Sequence, residues 1–183
     1  MGQTLNKLSA DNSKFIKEQK LFFVGTAASE GSVNISPKGM DSLRILNDNR
    51  IIWLNLTGSG NECSAHVQLN QRMTIMFCAF AGPPLILRVY GKAKVIHKND
   101  PQWKELYSKF NPSIGARQIF DLEIDRIQTS CGMAVPYFEY KEDRELLTEW
   151  AQKKGVEGLK EYWIKNNQNT IDGIPTNIVS KNI

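Results

Sequence analysis

The sequence has few cysteines and histidines, with three of the former and two of the latter among 183 residues. Cys63, Cys78 and Cys131 are odd in number and widely spaced. This pattern fits neither a disulfide framework nor a zinc site. Because free thiols are typical of reducing compartments, we expect a cytoplasmic protein.

The chain also lacks long apolar runs and blocks of like charge. Its N-terminal stretch has neither the apolar core nor the cleavage site of a secretory signal, and no run is long enough to span a bilayer. The net charge of +4 is dispersed along the chain, which argues against a nucleic-acid-binding surface. The length suits one compact domain.

What the sequence does contain is a succession of short apolar segments separated by turn-forming residues. They predict six or seven strands, at residues 21–27, 32–36, 43–46, 50–56, 72–80, 85–97 and 117–128. Short helices are predicted at residues 13–19, with Asp11 or Asn12 as the cap, and at 61–69 and 101–107. This hairpin-like order favours a mainly β, antiparallel barrel with peripheral helices over a doubly wound parallel sheet.

The composition becomes charged and helix-forming near residue 141. We predict helices at residues 142–154, ended by Gly155, and at 159–166, followed by a polar, irregular tail at 167–183. The chain is therefore divided into a barrel at residues 1–140, with a short N-terminal helix, and a C-terminal helical extension and tail at 141–183. The extension is expected to pack on the same domain.

A glycine-rich turn, Thr57-Gly58-Ser59-Gly60, joins a predicted strand to a predicted helix. Glycine lets the backbone approach a ligand closely, and the first amides of a helix favour an anion such as phosphate. The alternative is a plain helix cap made by Ser59 or Asn61, with no ligand. The spacing is neither that of a Walker loop nor that of a dinucleotide fingerprint.

A second segment, residues 33–39, ends a strand with Ser36, Pro37 and Lys38. Proline fixes the local backbone, and the lysine is placed to supply positive charge to a phosphate or to a reduced, anionic ring. A solvated lysine at a strand end is the alternative interpretation.

Taken together and in order, these segments resemble the flavin-binding split-barrel proteins related to pyridoxamine 5'-phosphate oxidase. The resemblance covers about residues 15–135. Its motifs are VNISPKG at 33–39, TGSGNE at 57–62, His66, NQR at 70–72 and LRVYG at 87–91.

The resemblance implies an antiparallel split β-barrel of the FMN-binding type, occupying residues 1–140, that binds FMN at the interface of a homodimer. It places the flavin ring and ribityl chain at Asn34, Ile35, Ser36, Pro37 and Lys38. It places the phosphate at Thr57, Gly58, Ser59 and Asn61, and it makes Arg88 a contribution from the partner subunit. A flavin carries its own redox chemistry, so an FMN-dependent oxidoreductase that transfers hydride to or from a small molecule is expected.

Two departures from the authentic oxidase argue against pyridoxamine phosphate as the substrate. The oxidase has an arginine at the start of the first motif and Ser-Arg-Lys at the phosphate turn, where this chain has Ser32 or Val33 and Ser59-Gly60-Asn61. It also ends in a basic, tryptophan-containing segment that this chain replaces with residues 130–136 and a helical tail.

Other functions remain open from the sequence. A non-catalytic flavin carrier or sensor would need the same motifs, and related split barrels bind haem or the deazaflavin F420. Haem would require an axial ligand, for which His66 and His97 are the histidine candidates. We expect His66 to be a hydrogen-bonded helix residue and His97 to be solvated at a strand end, whereas Cys131 could line the flavin pocket.

Overall fold

The protein is built mainly from one antiparallel β-sheet with short helices around it. The computed structural model describes residues 2–183. Its strands are β1 (Thr4–Leu5), β2 (Phe22–Thr26), β3 (Asn34–Lys38), β4 (Leu43–Asn47), β5 (Arg50–Leu56), β6 (Arg72–Cys78), β7 (Ile86–His97) and β8 (Ala116–Ser130). Its helices are α1 (Ala10–Glu18), α2 (Glu62–Leu69), α3 (Trp103–Tyr107), α4 (Leu146–Asn166) and α5 (Ile178–Asn182).

The sheet must curl, because its two edge strands are neighbours in the sequence. The strand order is β3-β2-β6-β7-β8-β5-β4, with β1 paired to β8. In a flat sheet of this order the edges would be about 29 Å apart. The segment from Lys38 to Leu43, which joins β3 to β4, reaches roughly 18 Å at most. The sheet therefore forms a barrel that is split between β3 and β4.

Aromatic side chains fill the interior of this barrel. Trp53 of β5 stacks on Phe120 of β8 with ring centroids 4.7 Å apart, and Phe22 of β2 meets Trp53 edge-on at 6.4 Å. Phe77 of β6 and Leu87 of β7 belong to the same buried cluster. Because side chains of five strands meet in one core, burial of this face holds the curled sheet together.

A smaller apolar cluster lies on the other side of β5 and β8. Ile52 and Leu54 of β5 and Ile119 of β8 pack there against Leu106 and Phe110. Strand β5 is thus buried on both faces, which explains why its sequence is a continuous apolar run rather than an alternating one.

Gly91 allows β7 and β8 to stay paired over their long common length. The register between the two strands shifts at Tyr90 and Gly91, where the ladder contains an irregularity. A Cβ atom at position 91 would overlap the carbonyl oxygen of Glu123. Glycine at this position therefore lets the two backbones approach closely at the bulge.

The expected fold class is confirmed, and the first predicted helix needs correction. All the predicted strands are present within a few residues of their expected bounds, together with β1, which is too short to give a periodic signal. Helix α1 begins earlier than predicted because Ser9, rather than Asp11 or Asn12, is its cap. The Ser9 hydroxyl accepts from the Asn12 amide at 3.1 Å, and the Asn12 side chain accepts from the Ser9 amide at 3.2 Å.

The tail at residues 167–183 is more ordered than predicted. Gly155 does interrupt α4, with φ 66° and ψ 176°, as the sequence predicts. Beyond α4, however, Asn169 pairs with Pro175 in an antiparallel bridge, and α5 follows. Thr176 and Ile178 are fully buried, so the tail is part of the packed structure. None of the helices within residues 2–183 has the length and apolar character needed to cross a membrane.

The expectation that His97 is solvated was also wrong. Its side chain is fully buried at the end of β7, and neither ring nitrogen has a hydrogen-bond partner among the described residues. Burial lowers the pKa of His97 to about 4. A charged imidazole would lose its hydration there, so the neutral ring is strongly favoured in the folded protein.

We expect acid to destabilise the protein through His97. The unfolded chain takes up a proton near the ordinary pKa of 6.5, while the folded protein does not until about pH 4. The contribution of the neutral His97 ring to the free energy of unfolding is therefore fully present above pH 6.5 and is lost as the pH drops toward 4. The loss is about 2 kcal/mol between pH 7 and pH 5. Urea unfolding at a series of pH values would measure this. In His97→Phe the same interval should show a loss smaller by that amount, and equal losses in the two proteins would contradict the prediction.

Candidate functional site

A cavity of about 440 Å³ lies where β3 and β5 end and α2 begins, at the split of the barrel. Its size is within the range of small-molecule and cofactor pockets. The lining residues on and near β3 are Asn34, Ser36, Pro37, Lys38, Gly39, Met40 and Ser42. Those from the rest of the chain are Trp53, Leu54, Asn55, Leu56, Gly58, Ser59, Gly60, Asn61, Glu62, Cys63, Arg117 and Leu147.

This cavity brings together most of the residues predicted to bind a ligand, although they come from two separate segments. Those lining it are Asn34, Ser36, Pro37, Lys38, Gly58, Ser59 and Asn61. On β3 the alternation of the strand turns Asn34, Ser36 and Lys38 to the less exposed face. The glycine-rich turn, defined here as residues 57–60, lies opposite them.

The side chains of Ile35 and Arg88 lie elsewhere. Ile35 is 70% exposed on the outer face of β3, where it lines a different groove. Arg88 is half-buried on β7 and donates to the Ser130 hydroxyl at 3.1 Å. Neither lines the cavity of its own chain. The contact of Ile35 with the flavin and the contribution of Arg88 to the partner's cavity therefore stay predictions.

Thr57 anchors the glycine-rich turn from behind. Its buried hydroxyl donates to the carbonyl of Gly115 at 2.9 Å and accepts from the indole nitrogen of Trp163 at 2.9 Å. Its backbone amide also donates to the Gly115 carbonyl, at 2.7 Å. With these bonds made, the side chain of Thr57 holds the end of β5 in place, and its role as a phosphate contact remains a prediction.

The most important side chain that the sequence did not reveal is Arg117, at the start of β8. It is only 3% exposed, it lines the cavity, and its Nε has no hydrogen-bond partner among the described residues. Its other nitrogens donate to the carbonyl of Gly60 at 2.6 Å and to Oδ1 of Asn167 at 2.9 Å. Burial lowers its pKa to about 10, so it is charged at neutral pH.

Arg117 has no carboxylate partner within residues 2–183. A buried charge without an opposite charge is costly. In the sequence, Arg117 is not conspicuous, because the same strand carries several other charged and polar residues. The one available signal is its place at the start of β8, close to Ile119 and Phe120, where consecutive residues are buried and a charged side chain is unusual.

Lys38 brings a second positive charge to the cavity. Its ammonium group lies 5.1 Å from the centre of the Trp53 ring, within cation–π distance. Burial lowers the pKa of Lys38 and raises the pKa of the Cys63 thiol, which also lines the cavity. The sulfur of Cys63 accepts from the Asn34 side-chain amide at 3.2 Å. The interpretation of Lys38 as a solvated strand-end residue is therefore wrong.

Asn61 and Ser36 carry buried polar side-chain atoms that have no hydrogen-bond partner within residues 2–183. Asn61 is 2% exposed, and neither its amide nitrogen nor its amide oxygen has a partner among the described residues. It precedes α2 but makes no side-chain capping bond, so the alternative of a plain Asn61 cap is wrong. The Ser36 hydroxyl likewise has no partner. Buried polar groups are rarely left in this way, which indicates a polar ligand.

The glycine-rich turn leaves room for such a ligand. A Cβ atom at Gly58 would meet nothing within 4 Å. The protein's own packing therefore does not require glycine at this position, whereas close approach of a ligand to the backbone would. A polar, phosphate-bearing molecule fits the charges, the unpartnered polar atoms and the open space of the cavity.

The two histidines and Cys131 do not line the cavity. His66 is buried in α2 with its Nδ1 3.2 Å from the Thr26 hydroxyl, as expected of a hydrogen-bonded helix residue. Cys131 is exposed after β8, so the expectation that it lines this pocket in its own chain was wrong. A haem in this cavity would find no histidine ligand on its lining.

The fold and the cavity define the class of the protein as a split β-barrel with a cavity whose charge favours an anionic small molecule. Residues 8–131 match the family described as Pyridoxamine 5'-phosphate oxidase. The chain belongs to this family, and its differences from the authentic oxidase are those of a related member.

One relative and two solved structures illustrate the likeness. The chain is 32% identical over 177 residues to the pyridoxamine 5'-phosphate oxidase family protein ustO of Aspergillus flavus, an alignment that covers 86% of this chain and 70% of the relative. A candidate pyridoxamine 5'-phosphate oxidase of Lactobacillus delbrueckii shares 21% identity and a TM-score of 0.54, covering 67% of this chain and 94% of that one. The HupZ protein of Group A Streptococcus shares 20% identity and a TM-score of 0.51, covering 66% of this chain and 91% of that one. At such identities these structures establish the fold.

Proposed function

We propose that this protein binds FMN in the cavity at the split of the barrel and acts as a flavin-dependent oxidoreductase on a small molecule. The observation that carries the proposal is Arg117, a buried, charged guanidinium on the cavity lining without a carboxylate partner among the described residues. A phosphate would supply the missing opposite charge. Charge-assisted hydrogen bonds to phosphate are among the strongest that a protein makes.

The residues that line the cavity offer contacts to different parts of FMN. The glycine-rich turn, Asn61 and Arg117 offer backbone and side-chain donors to the phosphate of FMN. In this proposal Ser36 and Lys38, which line the cavity from β3, contact the rest of the nucleotide. FMN when bound supplies the hydride chemistry, and the protein has to hold and tune it. The charge of Lys38 would stabilise negative charge on a reduced ring.

We expect FMN rather than FAD to be the bound nucleotide. The cavity has one phosphate-type turn, and the sequence contains no dinucleotide fingerprint. The protein should purify with a flavin absorption spectrum, and cofactor released by heat should co-elute with FMN on chromatography. Release of FAD, F420 or haem in place of FMN would refute the proposal.

We also propose that the protein is a homodimer with two flavin sites at its interface. The outer faces of β2, β3, β6 and β7 form a groove of about 580 Å³ that carries Phe23, Ile35, Met76 and Tyr90. Val33 and Ile35, which both line this groove, are 69% and 70% exposed. An apolar surface of this kind favours coverage by a partner, and a second copy of the chain meets that need by symmetry.

A further inference from the structure

The C-terminal part of the chain reaches back beneath the glycine-rich turn. Asn167, the residue that follows α4, is fully buried. Its side-chain amide donates to the carbonyl oxygens of Gly58 and Ser59, each at 3.1 Å. Arg117 donates to the next carbonyl, that of Gly60, and also to Oδ1 of Asn167. One linked pair of side chains therefore holds three successive carbonyl groups.

This arrangement determines where the amide groups of the turn point. In a trans peptide the C=O and N–H groups face opposite ways, and the described chain contains no cis peptide bond. Each N–H group of Ser59, Gly60 and Asn61 therefore points opposite to a carbonyl group that Asn167 or Arg117 holds. They make no hydrogen bond to another described residue. Successive N–H groups left free in a turn are a typical anion-binding arrangement.

Asn167 is itself held by the folded tail. Its carbonyl accepts from the Thr176 hydroxyl at 2.6 Å, and its amide donates to the carbonyl of Trp163 at 3.0 Å. The Thr176 carbonyl accepts from Ser64 at 3.0 Å, which ties the tail to α2. The tail is thus connected both to the helix that follows the turn and to the carbonyls of the turn.

We propose that Asn167 is a positioning residue, through which the C-terminal tail orients the glycine-rich turn for phosphate. Asn167 does not touch the ligand. By holding the carbonyls of Gly58 and Ser59 on one side, it presents the amides on the other side to the phosphate group. This inference rests on the proposed FMN site and adds to it a part of the chain outside residues 8–131, the segment that matches the family.

The test compares FMN with riboflavin, which lacks the phosphate, in wild type and in Asn167→Leu. Leucine has a similar size and removes both donations without adding charge. FMN should bind at least about tenfold more weakly to the variant, while riboflavin affinity should be unchanged. Asn167→Leu also releases the Arg117 nitrogen that donates to Asn167. If only the charge of Arg117 mattered, the variant would therefore bind FMN as tightly as wild type or more tightly. A purely structural role would weaken both ligands alike. Flavin fluorescence quenching measures both affinities.

Asn166→Leu is the matched control. Asn166 is the exposed neighbour of Asn167 and donates only to the Tyr162 carbonyl. Its replacement should leave the ratio of FMN to riboflavin affinity unchanged. Should Asn167→Leu fail to fold by circular dichroism, Thr176→Val removes the hydroxyl that holds Asn167 and should lower the same ratio to a smaller extent. An unchanged ratio in the folded variant would overturn the positioning role.

A second measurement separates this inference from the proposed function. Inorganic phosphate titrated into ¹⁵N-labelled wild-type protein should shift the amide signals of Ser59, Gly60 and Asn61, and these shifts should be lost in Asn167→Leu. If wild type binds phosphate in this way but not FMN, the function is wrong and the positioning role stands. If wild type binds FMN and the variant keeps both the shifts and the affinity ratio, the positioning role is wrong and the function stands. Absence of both FMN and phosphate binding in wild type would overturn both.

Discussion

Arg117→Met should weaken FMN binding by about 10- to 100-fold, because the phosphate loses both the positive charge of the guanidinium and the hydrogen bond that its unpartnered Nε can donate. Arg117 is the buried cation nearest to the glycine-rich turn, since it donates directly to the Gly60 carbonyl. Methionine can fill much of the same volume without charge. Titration of the apoprotein with FMN, followed by flavin fluorescence, measures the loss.

The same substitution should affect the FMN-free protein much less. Replacing a buried charge that lacks an opposite charge with an apolar side chain is often close to neutral, although here the bonds to Gly60 and Asn167 are also lost. FMN raises the melting temperature by mass action. In Arg117→Met this rise should become smaller, and the decrease in the rise should exceed the decrease in the melting temperature of the apoprotein.

Arg50→Met is the matched control for this prediction. Arg50 forms an ion pair with Asp121 at 2.7 Å and does not line the cavity. Its replacement removes one arginine from the chain but should leave FMN affinity within about twofold, because a distant, partly exposed pair contributes little to binding. Wild-type affinity in Arg117→Met would mean that the cavity does not bind the FMN phosphate.

The sequence was a good guide to the parts of the site that lie within one motif. Lys38 and the glycine-rich turn were assigned to a site because each belongs to a motif of the family that the chain resembles, whereas the local pattern alone left a solvated lysine and a plain helix cap as alternatives. The barrel was recognisable from local signals, since each strand has its own period and its own flanking turn. The seven predicted residues that line the cavity all belong to the motifs at residues 33–39 and 57–62.

The parts that were missed depend on contacts between distant positions. Arg117 meets Gly60 across 57 residues, and Asn167 meets Gly58 across 109. No local pattern records such a meeting, because it is the curled sheet and the returning tail that produce it. The tail looked irregular because its polar residues are buried by hydrogen bonds to other segments. For example, the Asn182 side chain donates to the carbonyl of Arg117 in β8, and the Thr176 carbonyl accepts from Ser64 in α2.

Arg88 poses a different question, because it does not line the cavity of its own chain. It lies on β7, opposite Met76 of β6 and Gln128 of β8, and its side chain is half-buried beside Ser130. In the shared-site arrangement, Arg88 of one subunit serves the cavity that contains Lys38 of the other. If so, Lys38→Ala and Arg88→Ala should each weaken FMN binding by about 1–3 kcal/mol.

Mixed dimers of these two variants should regain full-affinity sites. In a hybrid of Lys38→Ala and Arg88→Ala chains, one cavity carries both defects, while the other combines an intact Lys38 with an intact Arg88 from the partner. Unfolding and refolding an equal mixture should therefore restore wild-type affinity to about a quarter of all sites, since about half of the dimers are hybrids. Refolding each variant alone is the control and should restore none. If Lys38 and Arg88 act within one chain, or if light scattering shows a monomer that binds FMN tightly, no mixture can create an intact site. Wild-type affinity would then stay absent at every mixing ratio.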